Sequence, residues 1–126
     1  MSTAYFIVLD NEDVDFDSFV NGKFIAQEAE KINIISAKLG LKSIEDFVSQ
    51  DLEDFGVESE DLGGFSSKWF DPSEGLEWAS KIRERVLHNP GSVKNKDGIL
   101  EDLNDYINVF ENAKKVNAQW HFEIDF

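Results

Sequence analysis

The sequence lacks cysteine, has only two histidines and contains no long apolar run. Without cysteine, disulfide bonds and thiolate chemistry are excluded, which fits a reducing compartment. No segment approaches the roughly 18 consecutive apolar residues of a membrane span, and no basic segment followed by an apolar one indicates a cleaved signal peptide. We therefore expect a soluble, cytoplasmic protein.

Positive charge is also scarce, because 26 acidic side chains stand against 12 basic ones and the net charge is −14. A field of this sign repels nucleic-acid phosphates and anionic lipids, so we expect neither nucleic acid nor a membrane as a partner. The same field attracts cations and basic proteins. An acidic surface that only keeps the protein soluble is the simpler explanation of this composition.

Both ends of the chain have strand patterns. Ala4–Leu9 is a short apolar run rich in aromatic and β-branched residues, which predicts a buried strand. From Trp120 to Phe126 apolar and polar residues alternate strictly, which predicts a half-buried strand with His121, Glu123 and Asp125 on its solvent face.

Helical periodicity fills the interval between the two strands. Apolar residues recur at helical spacing from Phe24 to Leu39, from Pro72 to His88 and from Ile99 to Asn117, where Asp97 is the expected cap. Ser43, followed by Asp46 three residues later, predicts a further short helix.

These elements fit one domain, because 126 residues with 41% hydrophobic content are enough to bury a core. We predict a single domain over residues 1–126 of the α+β class. Three to four helices pack on a small sheet formed by the N- and C-terminal strands. The outer edge of that sheet could pair with a second copy of the chain, so a homodimer is one possible assembly.

The clearest local signal is the start of the central helix, Trp69–Leu76. Asp71 has the character of an N-cap, Pro72 suits the first helical position, and Glu74 stands at the capping-box position. Gly75 is unusual inside a helix, since it costs about 0.5–1 kcal/mol relative to alanine. Either a ligand or backbone approaches closely there, or the glycine makes room for a neighbouring tryptophan, Trp69 or Trp78.

The stretch 45–61 is the most acidic part of the chain and has apolar residues, Val57 among them, spaced between its carboxylates. We predict a largely irregular connection over residues 49–68, and connections of that length are often functional. A surface of this kind suits a basic protein partner. The predicted partner-binding residues are Asp51, Leu52, Glu53, Asp54, Phe55, Glu58, Glu60 and Asp61.

Catalytic and metal motifs have little support, so we assign no catalytic residue, metal ligand or cofactor. Asp13–Asp17 begins like a calcium loop, but Ser18 and Phe24 stand where that motif needs glycine and glutamate. The alternating row of His121, Glu123 and Asp125 is better explained as the polar face of a strand. The alternative to a protein-binding surface is a small-molecule or metal pocket near Trp69, Gly75, Trp78 and the C-terminal strand.

The motif Trp69-Phe70-Asp71-Pro72-Ser73-Glu74-Gly75-Leu76 resembles a group of small acidic bacterial proteins of unknown function. In that group an aromatic-Asp-Pro-x-Glu-Gly-Leu segment opens a helix, and a second helix and an aromatic terminal strand follow. Val20–Lys23, Leu39–Gly40 and Trp120–Phe122 are also similar. The resemblance covers most of the chain and carries no activity. Size and charge are more loosely similar to the immunity proteins of bacterial toxin systems.

Together these patterns favour a non-catalytic protein-binding module, of inhibitor, immunity or regulatory type. They leave an enzymatic role open.

Overall fold

The first and last elements of the chain pair as a two-stranded antiparallel sheet. The computed structural model describes residues 4–11, 13–16, 20, 22–49 and 68–125. Its elements, in chain order, are β1 (Ala4–Leu9), α1 (Lys23–Gln27), α2 (Ala29–Lys38), α3 (Pro72–His88), α4 (Lys96–Lys115) and β2 (Trp120–Asp125). The predicted α+β class, with helices on a sheet of the two terminal strands, is confirmed.

The register of the sheet decides which side chains enter the core. Leu9 lies opposite Trp120 and Ile7 opposite Phe122, and all four side chains are buried. On the other face, Val8 lies opposite His121. The alternation in the C-terminal sequence therefore predicts the core face of β2 correctly.

The second edge of β2 also has backbone partners. The amide of Phe70 donates to the carbonyl of Trp120 at 2.8 Å, and the Trp120 amide donates back to the Phe70 carbonyl at 3.0 Å. Farther along, the amide of Ser49 donates to the carbonyl of Phe122 at 3.1 Å. This side of β2 is therefore engaged within the chain at Trp120 and Phe122.

The central helix α3 begins as its sequence predicts. The Asp71 side chain accepts from the amide of Ser73 at 2.8 Å, and Pro72 occupies the first helical position. The carboxylate of Glu74 pairs instead with Lys42, at 2.9 Å from the ammonium. Helix α3 packs along α4 with its apolar face, formed by Trp78, Ala79, Ile82 and Val86.

The helix predicted from Phe24 to Leu39 is two helices, because the chain bends at Glu28. Sequence periodicity places Glu28 on the solvent side, which is wrong: its side chain turns inward and accepts from the amides of Lys94 and Asn95, the latter at 2.9 Å. Lys31 lies 3.7 Å from the same carboxylate. The break at Glu28 thus coincides with two backbone hydrogen bonds to its carboxylate.

The predicted cap of the last helix is also wrong by two residues. Helix α4 begins at Lys96, and Asn95 caps it by accepting from the amide of Gly98 at 3.1 Å. Asp97 is exposed in the first turn. In the part of the chain that the structure describes, no helix has the length and apolarity needed to span a bilayer.

Candidate partner-binding site

The predicted partner-binding residues, from Asp51 to Asp61, lie outside the described residues. What is described is the chain on either side of them, and the two sides meet. The hydroxyl of Ser49, which is only 3% exposed, accepts from the amide of Lys68 at 2.6 Å. Ser49 and Lys68, which flank the acidic stretch, therefore lie next to each other along β2. We call Ser49, Lys68, Trp69, His121 and Glu123 the clamp.

The first end of the acidic stretch is anchored through Phe47, at the end of a single 3-10 turn, Glu45–Phe47. The Phe47 ring is buried, with centroids 4.9 Å from Trp120 and 5.1 Å from Phe70. Val48 then forms a parallel bridge to Phe122. Ring packing and a backbone bridge thus fix the position at which the acidic stretch begins.

The second end is held by His121. The ring of Trp69 stacks on the imidazole at 4.1 Å between centroids, and the Nδ1 atom lies 3.0 Å from the carbonyl oxygen of Lys68. The Nε2 atom lies 2.8 Å from Oε2 of Glu123. Because a carbonyl only accepts, the Nδ1 atom of His121 donates to Lys68.

The prediction that His121 faces solvent is wrong, because the side chain is only 2% exposed. It does lie on the face of β2 opposite Trp120 and Phe122, as alternation requires. Trp69 covers it there. A period of two identifies a face of a strand but does not say what packs on that face.

Two acids at the start of the acidic stretch are described and exposed, Glu45 and Asp46. Asp46 and Ser43 form the reciprocal cap that the sequence predicts, since the Ser43 amide donates to Asp46 Oδ2 at 3.0 Å. The Asp46 amide donates to Ser43 Oγ at 3.4 Å. The charge of Glu45 also reaches the core, where burial first and Glu45 second raise the pKa of Tyr5.

The predicted ligand pocket is not supported as one site. Gly75 and Trp78 are buried in the core, whereas Trp69 stacks on His121 on the opposite face of β2. A Cβ on Gly75 would lie 2.6 Å from Trp120 and 2.7 Å from Phe110. The glycine thus makes room for two aromatic rings, but they are neither of the tryptophans suggested by the sequence.

Trp78 does line a small recess of about 180 Å³ with Lys42, Phe47, Glu74 and others. The indole donates to the carbonyl of Lys42 at 3.0 Å, and the Lys42 ammonium lies 5.0 Å from the ring centroid of Phe70. The recess is smaller than the roughly 300–1,000 Å³ of drug-sized ligand sites. A pocket function near Trp78 stays a prediction.

Sequence reasoning missed a second buried carboxylate, Asp102. It accepts from the amides of Phe24 at 2.9 Å and Ile25 at 3.0 Å, so α4 caps the start of α1. Burial raises the pKa of Asp102, while these two hydrogen bonds lower it. Among the described residues, no three histidine, aspartate or glutamate side chains are grouped so that they could hold a metal ion.

Comparison of the chain with protein-family models, curated proteins and solved structures found no match. The resemblance carried by Trp69–Leu76 therefore stays a prediction.

Proposed function

We propose that this chain is a non-catalytic protein-binding module that binds a basic partner protein through the acidic stretch 45–61. The observation that carries the proposal is the hydrogen bond from the Lys68 amide to Ser49, which joins the two sides of residues 50–67. A long segment whose ends are close together on a packed scaffold is a common form of recognition loop.

Charge supports the choice of a basic partner. Of the described carboxylates, Glu28 and Asp102 are buried and cap backbone amides. Glu45 and Asp46 are exposed at the start of the stretch, where Glu45 accepts from the Asn33 side chain and Asp46 from the Ser43 amide. The sequence adds Asp51, Glu53, Asp54, Glu58, Glu60 and Asp61 within the next 15 residues. A negative surface steers a positive one toward it and raises the association rate.

The apolar side chains of the stretch supply the second part of the proposal. Leu52, Phe55 and Val57 alternate with the acids in sequence. Affinity in protein interfaces is concentrated in a few apolar or aromatic anchors, and surrounding charges chiefly set rate and specificity. We therefore assign Phe55 and its apolar neighbours to affinity and the carboxylates to partner choice.

The test compares two variants of equal charge. The first changes six acids of the stretch to their amides: Asp51, Glu53, Asp54, Glu58, Glu60 and Asp61. The second changes six exposed acids elsewhere, none of which makes a side-chain hydrogen bond or ion pair with another described residue: Asp15, Glu30, Asp97, Glu101, Asp105 and Glu111. Each variant is passed over columns of immobilised basic toxins and nucleases at increasing salt.

We expect the natural chain and the second variant to be retained by one member of the panel, and the first variant to be released. Retention should weaken between 0.1 M and 1 M salt, because the screening length falls from about 10 Å to about 3 Å. Equal retention of both variants would show that total charge, and not this stretch, is recognised. No retention of the natural chain by any basic protein would contradict the basic partner itself.

A further inference from the structure

A recess of about 380 Å³ lies between the end of α2 and the last turns of α3. Leu39 contributes from the α2 side, and Lys81, Glu84, Arg85 and His88 contribute from α3. The four α3 residues follow the i, i+3, i+4, i+7 pattern, so they share one face of the helix. The volume is within the roughly 300–1,000 Å³ typical of small-molecule sites.

The lining contains two cationic side chains, Lys81 and Arg85, and one carboxylate, Glu84, on a chain whose net charge is −14. Lys81 pairs with Glu77 at 2.8 Å, in an arrangement where both side chains are about half exposed. His88 Nδ1 lies 2.8 Å from the carbonyl of Glu84, so Nδ1 donates to that carbonyl, and Nε2 of the neutral ring is an acceptor. The Arg85 side chain is half-buried and makes no hydrogen bond or ion pair within the described residues.

An arginine in this position suits an oxyanion. The planar guanidinium presents paired donors that match the oxygens of a carboxylate or phosphate, and partial burial strengthens such contacts. Leu39 supplies an apolar wall beside them. We infer that this recess, lined by Arg85, Lys81, His88 and Leu39, is a binding site for a small organic anion that carries a carboxylate or phosphate group.

Basic residues in the last turns of a helix also offset its dipole, and that role alone needs no ligand. Arg83 separates the two explanations. It lies two residues from Arg85 on the same helix and is exposed, but it does not line the recess. Arg83→Ala and Arg85→Ala therefore change charge and helix propensity alike, and only the second removes a lining group.

The experiment titrates inorganic phosphate, and separately sodium propionate, into the isotope-labelled protein at constant ionic strength. Amide NMR shifts of Leu39, Arg85 and His88 report binding. We expect saturable shifts with at least one of the two anions, and the one that saturates identifies the acidic group. Arg85→Ala should weaken that affinity about tenfold or more, as loss of a charge-assisted contact does. Arg83→Ala should change it by less than about twofold.

Glu84→Gln gives a second test that does not remove a ligand contact. Because it takes one negative charge from the lining, it should tighten binding of the same anion. Shifts that never saturate with either anion would overturn the inference. So would equal losses from Arg83→Ala and Arg85→Ala, or weaker binding by Glu84→Gln. The acidic stretch takes no part, so these results leave the proposed function untouched.

Discussion

Gly75 offers the most direct test of how the core is packed. A side chain there would begin with a Cβ atom 2.6 Å from Cζ2 of Trp120 and 2.7 Å from Cε1 of Phe110. Carbon atoms pack best at about 3.5–4.0 Å, so alanine needs both rings to move by roughly an ångström. Both rings are fully buried and contact each other at 4.5 Å between centroids, which leaves them little room.

Two opposing effects decide the outcome of Gly75→Ala. Replacing a glycine inside a helix gains about 0.5–1 kcal/mol of helix stability. Forcing an extra methyl into a packed core costs about 1–3 kcal/mol, and here it meets two rings. We expect the free energy of unfolding to fall by about 1–2 kcal/mol, which corresponds to a Tm lower by roughly 3–8 °C for a domain of this size.

Urea unfolding followed by far-UV circular dichroism measures this change. Gly91→Ala is the matched control, because no atom of the described residues lies within 4 Å of the Cβ it would add. It should leave stability unchanged or raise it by a few tenths of a kcal/mol. The double variant Gly75→Ala, Phe110→Leu should lose less stability than the sum of the two single losses, since the smaller leucine side chain makes room for the added methyl group. If Gly75→Ala is as stable as the natural chain, or the two changes simply add, the packing argument fails.

Two further predictions concern buried polar contacts. Burial raises the pKa of Asp102 above its ordinary 3.8, so its contribution to stability is present below that value and is lost as pH rises through the folded-state pKa. The stability of Asp102→Asn should therefore rise relative to that of the natural chain as pH rises. Urea unfolding of both proteins at several pH values measures this, and a difference in unfolding free energy that does not change with pH would contradict it. Ser49→Ala removes the acceptor of the Lys68 amide and should cost about 1 kcal/mol. It should also speed hydrogen exchange at Lys68, and unchanged exchange there would refute the clamp.

Local signals predicted the parts of the fold whose partners are close in sequence. Asp71 and Pro72 start α3 through contacts within one turn, and alternation in β2 identifies Trp120 and Phe122 as core residues. The sequence also indicates that Gly75 needs space, but not for which rings. Phe110 approaches from α4, 35 residues later, and no pattern around Gly75 points to it.

The polar residues that sequence reasoning misplaced, Glu28 and His121, and the one it missed, Asp102, share one physical cause. Glu28 and Asp102 accept from backbone amides of segments far along the chain, and His121 donates to the carbonyl of Lys68. Every residue type has a backbone amide and carbonyl, so the segment that supplies such a hydrogen-bond partner has no recognisable sequence pattern. Charged and polar residues of this kind look solvent-exposed until the fold brings the backbone to them.

The clamp also explains why the fold tolerates a long acidic segment. The Lys68 amide bonds to Ser49, and both residues attach to β2, Ser49 through Phe122 and Lys68 through His121. Ser49 and Lys68, the described residues on either side of 50–67, are therefore held by the scaffold. Closing a longer loop adds little cost, about 0.6 kcal/mol for each doubling of length. The composition of the segment is thus available for the proposed binding of a basic partner.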